Sequence, residues 1–292
     1  MKYRVQHVTS YRYEEPVALS HNAARLVPRH NTRQLVARST LVVDPEPAVM
    51  HRFTDYYGNV VDSFALQVPH VALTITATTD LDVLPRAPLD ASQSPPWEAL
   101  AARDAFLPID VAEHRFESLM VPSAAELKEL AVPCFTPGRP VLEAALALNT
   151  LIHRTFAYDP TATTIATPVM EVLAKKRGVC QDFSHVMLGA LRSVGVAARY
   201  VSGYLETIPP PGQARMVGAD ASHAWVQVYC GHEMGFVDLD PTNDCIPGER
   251  HITVAYGRDF SDVSPVKGMI LGGGKTHVKV GVDVENVEDR SG

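Results

Sequence analysis

Cysteine is scarce in this chain of 292 residues: four, at positions 134, 180, 230 and 245, with no C-x-x-C spacing. That pattern excludes a disulfide framework and a structural zinc site as the basis of the fold. No apolar run reaches the length a membrane-spanning helix needs, about 18 residues. The opening Met1-Lys2-Tyr3-Arg4-Val5-Gln6-His7 lacks the apolar core of a secretion signal, so a cytoplasmic location is expected. Positive charge is in deficit. The formal net charge of −7 argues against nucleic acid as the main partner, because phosphate binding needs a basic surface. Internal repeats are absent as well. What is present is a composition of 46% hydrophobic and 20% charged residues, that of a globular protein large enough to bury a sizeable core.

The first ninety or so residues read as β-structure. Tyr3, Val5, His7, Thr9 and Tyr11 alternate with polar partners, the period of a half-buried strand. Leu35 to Val43 is a second β-rich run, and Asp55-Tyr56-Tyr57-Gly58-Asn59 is a turn with residues tolerant of positive φ. Alternating runs from Val60 to Val68 and from Val71 to Ala77 complete the pattern of a sandwich-like module. The proline-rich stretch Pro85 to Pro96 reads as a linker. The expected division is therefore residues 1–95, the β-rich region with its linker, and residues 96–292, a second domain.

Beyond the linker the pattern becomes helical. Ser123 and Glu126 have capping-box spacing for a short helix that stops near Pro133. A second helix is expected over Val141 to Thr155. A third has Thr167 as N-cap and Pro168 at its first position, and ends at Gly178. A fourth starts at Cys180, carries Phe183, Val186, Met187, Ala190 and Leu191 on one face, and stops at Gly195. Strands follow at Ala197 to Leu205, His223 to Tyr229 and Met234 to Asp240, the last two joined by a hairpin at Gly231-His232-Glu233. The Pro209-Pro210-Pro211-Gly212 loop is expected to face substrate. Val278, Val280, Val282 and Val284 alternate strictly and predict a strand that closes the core. Helices followed by an antiparallel sheet give an α+β class.

Three groups in this layout suit thiol chemistry. Only a thiolate is nucleophilic. Cys180 lies in the first turn of its helix, where unpaired N–H groups and the positive end of the dipole favour anions, and Lys175, Lys176 and Arg177 add charge nearby. His223 sits inside a strand, sharing a face with Trp225, Gln227 and Tyr229, while Ala224, Val226 and Val228 form the core face. His185 competes as the base, but five residues along one helix put it about 140° around the axis from Cys180. Asp240 ends the next strand before Pro241 and reaches His223 across a hairpin; Asp238 shares its parity. Cys134, Cys230 and Cys245 read as inert thiols.

Gly178-Val179-Cys180-Gln181-Asp182-Phe183, Ser222-His223-Ala224-Trp225 and Phe236-Val237-Asp238-Leu239-Asp240-Pro241-Thr242 together resemble the transglutaminase-like superfamily. The resemblance covers nearly the whole chain. Tyr11, Tyr13 and the Asp55–Asn59 turn are similar to the β-rich N-terminal region of bacterial members, which are often described as cysteine proteases. It implies a papain-like core, a nucleophile helix packed on an antiparallel sheet, with a sandwich-like N-terminal domain. It also implies a triad of Cys180, His223 and Asp240, which selects Asp240 over Asp238. Animal transglutaminases carry a tryptophan shortly before the nucleophile and calcium sites in extra domains. Residues 174–179 contain no tryptophan and no Asp-rich calcium loop is visible, so neither calcium dependence nor protein cross-linking is carried over.

The backbone N–H of Cys180 is the natural oxyanion donor, with Tyr158 or Gln181 as the second and Trp225 as support. The expected chemistry is attack on an amide carbonyl, a thioester intermediate, and release by water or by an amine, hydrolysis of a peptide or isopeptide bond being the first choice. No metal or cofactor is expected, and the partner is a peptide or protein amide. Two other readings stay open: a non-catalytic binding module, and a zinc site built from Cys180, His223 and Asp240.

Overall fold

The computed structural model describes residues 1–102, 105–207 and 221–287. The Pro209–Gly212 loop lies outside the described residues.

Five strands come from the N-terminal region: β1 (Lys2–Ala24), β2 (Gln34–Asp44), β3 (Val49–Thr54), β4 (Val60–Leu66) and β5 (His70–Val83). They belong to one antiparallel sheet with the path β2-β5-β1-β4-β3. The expected sandwich is a single sheet folded over its own core. β1 runs for 23 residues and each of its edges serves two strands in turn. β5 pairs with its first half and β4 with its second, and the pairing shifts between Arg12 and Val17. The bend lets Phe64 and Leu66 of β4 pack with Leu73 and Ile75 of β5, together with Tyr13, Val17 and Val43.

The other edge of β1 carries two strands from the 96–292 region. β12 (Val266–Gly272) and β13 (Thr276–Asn286) pair with β1 from Val17 to Ala24 and from Tyr3 to Tyr13. The valine alternation predicts a strand, which forms; Val282 and Val284 are buried while Val278 and Val280 are exposed, and the partner is not legible in it. β13 pairs with β1 over eleven residues and at the same time sets Val282 and Val284 into the main core.

Between these strands lie two short helices, α1 (Trp97–Ala101) and α2 (Ile109–Ala112), then α3 (Ala125–Ala131), α4 (Val141–Thr155), α5 (Val169–Lys175) and α6 (Cys180–Ser193). The helix expected from Ser123 starts two residues later, with Ala124 as N-cap and no side-chain cap. Ser123 instead presents its N–H to Glu117. The α5 helix ends before Gly178, because Lys176 turns left-handed (φ 51°). Arg177–Gly178 then forms β7, paired in parallel with β6 (Ala157–Tyr158).

The second sheet has the order β10-β9-β8-β11, made of β8 (Ala198–Leu205), β9 (Ala221–Tyr229), β10 (Phe236–Leu239) and β11 (His251–Gly257). All its pairings are antiparallel. Ala224, Val226 and Val228 turn toward α6 and share a core with Phe183, Val186, Met187, Ala190 and Leu191, as the two periodicities require. That core continues into Tyr3, Val5, Leu81, Val282 and Val284 of the first sheet, so both sheets and the helices share one apolar interior. A single-turn helix, α7 (Phe260–Val263), follows β11. Among the described residues no helix is long and apolar enough to cross a membrane.

β11 escapes the alternation rule because a bulge falls between Thr253 and Ala255. It is the edge strand of its sheet, and two side-chain amides complete its free edge. Gln34 donates to the Thr253 carbonyl (2.7 Å) and accepts its N–H (2.9 Å). Asn59 does the same for Tyr256, at 2.8 Å in each direction. The Asp55–Asn59 turn exists to deliver that amide: Asp55 accepts the N–H groups of Tyr57 and Asn59 and holds the Asn59 side chain.

Asn59 is wholly buried, and its truncation leaves the N–H and C=O of half-buried Tyr256 on β11 without these partners. Each costs about 1–3 kcal/mol, so Asn59→Ala is expected to lower unfolding free energy by roughly 2–5 kcal/mol. Urea denaturation measures it; a loss below about 1 kcal/mol would show that the amide does not hold β11.

Candidate functional site

The α6 helix begins at a tight junction. Asp182, in its first turn, accepts the Val179 N–H (2.8 Å) and the Thr163 hydroxyl (2.6 Å). A Cβ at position 178 would overlap the Asp182 carboxylate, so glycine is required there. This fixes the first turn and leaves the N–H groups of Cys180 and Gln181 without intrahelical acceptors. Lys175 and Arg177 are exposed and pair with Glu171 (2.6 Å) and Asp159 (3.5 Å). Their charge is neutralised locally, so the favourable potential at Cys180 comes from the helix end.

The three residues proposed as a triad meet. His223 Nε2 lies 2.7 Å from Asp240 Oδ2 and 3.3 Å from the Asn243 amide, and the Cys180 thiol is near enough to the ring to favour its charged form. Nε2 is committed to the carboxylate, which leaves Nδ1 as the ring nitrogen not held by Asp240. Asp240 is fully buried. Its Oδ1 accepts the backbone N–H groups of Thr242 (2.9 Å) and Asn243 (3.1 Å). Its Oδ2 also accepts the Asn243 amide (2.7 Å) and His251 Nε2 (3.1 Å).

These contacts set the charges. Burial alone would raise the Asp240 carboxyl, but the hydrogen bonds from His223, His251 and Asn243 and the His223 charge hold it far below the ordinary carboxylate range. Burial alone would lower His223; its bonds to Asp240 and Cys180 outweigh that and raise it from 6.5 to about 10.

Asp238 belongs to a different network. It accepts the Trp225 indole N–H (2.9 Å) and the Gln227 amide (2.7 Å), with Arg86 3.4 Å away. Trp225 is fully buried and its N–H is taken by Asp238, so its support is steric: its ring lies 5.9 Å from that of His223 and 5.3 Å from that of His251. Gly203 lies opposite His223, and a Cβ there would overlap both the Trp225 ring and the Ile252 carbonyl. The Gln181 side chain donates to the Ile165 carbonyl (3.2 Å), which turns it to the 165 loop. Tyr158 stands beside Gly178, largely exposed, and burial together with Cys180 raises its phenol. His185 is structural: its ring is buried against Tyr200, accepts the Phe260 N–H (3.2 Å) and is lowered to about 4 by burial.

Sequence reasoning missed His251 and Asn243. Asn243 lies three residues past Asp240, where a side-chain amide turning back on a carboxylate is a common local motif. His251 gave no such signal, since only the pairing of β11 with β8 brings it there. His223, Asp240 and His251 offer ligand atoms within 4.8 Å of one another, a set able to hold a metal ion and one that excludes Cys180. Cys134 and Cys230 are buried and Cys245 is half-buried, and burial raises all three thiols, the last two to about 12 and 11.

A thiol at a helix start, with an imidazole and a carboxylate on an adjoining antiparallel sheet, defines a papain-like arrangement. The comparisons agree. Residues 3–82 match the model of the bacterial transglutaminase-like N-terminal region, and residues 128–241 match that of the transglutaminase-like superfamily. This chain belongs to the transglutaminase-like superfamily. It is 42% identical over 291 residues to an uncharacterized protein of Mycobacterium tuberculosis strain H37Rv, covering 97% of this chain and 92% of that one. An uncharacterized protein of Mycobacterium leprae is 37% identical over 294 residues, covering 96% and 97%. In fold the chain is similar to a crystal structure named as "a Putative Cysteine Protease from Cytophaga hutchinsonii", with a TM-score of 0.79, 19% identity, and coverage of 98% and 91%.

The raised His223 value has a sign. The folded ring binds its proton more tightly than the unfolded one, so its contribution to stability is complete below pH 6.5 and fades as pH rises through about 10. NMR of the ring nitrogens should show an imidazolium at pH 8, and Asp240→Asn should move its titration to lower pH. A wild-type ring that titrates near 6.5 would contradict the arrangement.

Proposed function

We propose that this protein is a cysteine-dependent hydrolase of peptide or isopeptide amides that works through Cys180, His223 and Asp240. The observation that carries the reading is the position of His223, between the Cys180 thiol and the wholly buried Asp240 carboxylate. Such an ordered imidazole can take a proton from sulfur, while the carboxylate stabilises the imidazolium that results.

In the proposed cycle the proton shared by the pair already rests on His223, and the Cys180 thiolate attacks the amide carbonyl carbon. The C–S bond forms as the carbonyl π pair moves to oxygen. That oxyanion accepts from the Cys180 backbone N–H, with the Tyr158 hydroxyl as the second donor. As the oxyanion collapses the C–N bond breaks, and the imidazolium delivers its proton to the departing nitrogen, leaving a thioester. Water attacks the thioester with His223 as base, the C–S bond breaks, and the acid and free thiol are regenerated. An amine in place of water would give acyl transfer through the same residues.

Mild iodoacetamide labelling at pH 7, read by mass spectrometry, tests the nucleophile. Cys180 is expected to react at least tenfold faster than Cys134, Cys230 and Cys245, and His223→Ala should remove that preference. Equal labelling of Cys180 in wild type and variant would reject a role for the imidazole. Ammonia or amine release compared with dansyl-cadaverine incorporation then separates hydrolysis from transfer.

The competing reading is a metal centre on His223, Asp240 and His251. Under the thiol reading, chelation leaves Cys180 labelling unchanged and purified protein carries substoichiometric zinc. One tightly bound zinc per chain, with labelling altered by its removal, would favour the metal.

A further inference from the structure

Between the N-terminal sheet and the far face of the second sheet lies a cavity of about 300 Å³, distinct in its lining from the Cys180 thiol. Arg33 and Arg86 enter it from the N-terminal region, Arg199, Asp238 and His251 from the second sheet, and Trp225 forms part of its wall. Asp238 is the single carboxylate among the lining residues, against three guanidinium groups. Its charge is already engaged by Trp225, Gln227 and a long contact to Arg86.

The cations are poorly satisfied. The Arg33 side chain has no hydrogen bond or ion pair to a described residue, and its Nε is buried without a partner. Arg86 Nη1 and His251 Nδ1 are buried and unpartnered in the same way. Burial and the like charge of Arg86 lower Arg33, against the opposing charges of Asp238 and Glu249. Arg199, by contrast, is clamped: its Nε donates to Gln227 (2.8 Å) and its guanidinium stacks on Phe236 and Tyr256 at 4.0 Å. Buried N–H groups without acceptors on half-buried guanidinium groups are costly to leave unsatisfied, and the acceptor that relieves several at once is an anion.

We propose that this cavity binds a small oxyanion, a phosphate or a small carboxylate, gripped by Arg33 and Arg86 and seated against His251. The volume admits a small organic acid and leaves no room for a folded partner. The site stands apart from the thiol reading, since none of its arginines touches Cys180 or His223 in any described contact. Trp225 and His251 nevertheless belong to both places, so occupancy bears on the Asp240 environment.

The test uses the full chain and two probes, inorganic phosphate and succinate, each compared with sodium chloride at equal ionic strength. Isothermal titration should give saturable binding of at least one probe, and that probe should raise the melting temperature where chloride does not. Arg33→Met and Arg86→Met should each weaken binding at least tenfold, with Cys180 labelling in the absence of anion unchanged. Arg33→Lys, which keeps charge but loses the planar fork, should fall between. Preference between the probes identifies the class of oxyanion. No saturable binding by either probe, or Arg33→Met binding as wild type does, would overturn the proposal. Should Arg33→Met fail to fold, as judged by circular dichroism, Arg86→Met decides: binding at least tenfold weaker supports the site, and wild-type affinity overturns it.

Discussion

The Asp240 carboxylate is the group on which the rest of the site depends. It has no exposure to solvent, and a buried carboxylate is tolerable only when its lone pairs are filled. Here Oδ1 takes two backbone N–H groups from the turn that follows it, while Oδ2 takes His223, His251 and Asn243. The backbone bonds fix the carboxylate relative to β10, and the side-chain bonds fix the two imidazoles relative to it. His223 is therefore held through Nε2, with Nδ1 not engaged by the carboxylate. Had Asp240 been exposed, water would compete for each of these bonds and the ring would lose its fixed tautomer.

Two carboxylates of equal strand parity divide the labour across the end of β10. Asp238 faces the back of the sheet, where Trp225 and Gln227 saturate one oxygen. Asp240 lies past the last ladder pair, at Leu239 and Val226, where the chain turns and can reach His223. Trp225 ties the two networks together, because it donates to Asp238 while its ring lies beside both histidines. Gly203 makes room for that ring by leaving β8 bare beneath it. The arrangement resembles a wall with His223 and Asp240 on one side and the arginine cavity on the other.

The N-terminal sheet is part of this machinery rather than an appendage. Its core is continuous with that of the helical layer. Through Gln34 and Asn59 it supplies the hydrogen bonds that β11 would otherwise lack on its outer edge. Because β11 carries His251, a turn nearly two hundred residues earlier in the chain helps hold the Asp240 carboxylate. Tyr204 of β8 also hydrogen-bonds His7 of β1 (3.1 Å), a further tie between the sheets. β12 and β13 likewise return to β1 and join the two regions along one sheet.

Local chemistry was legible in the chain itself. The helix starting at Cys180, the alternating faces of β9 and the strict valine repeat of β13 follow from periods of 3.6 and 2, which any short segment displays. The Cys180, His223 and Asp240 motifs were recognisable one by one, because each is a contiguous run of residues. What only the tertiary structure decided was which segments become neighbours: β13 with β1, the Asn59 amide with β11, and His251 with Asp240. Those pairings join residues far apart in sequence, and nothing in a segment's own periodicity encodes the partner that will satisfy its free backbone groups. Burial makes that choice, since a polar edge or carboxylate removed from water must find its donors wherever the completed fold puts them.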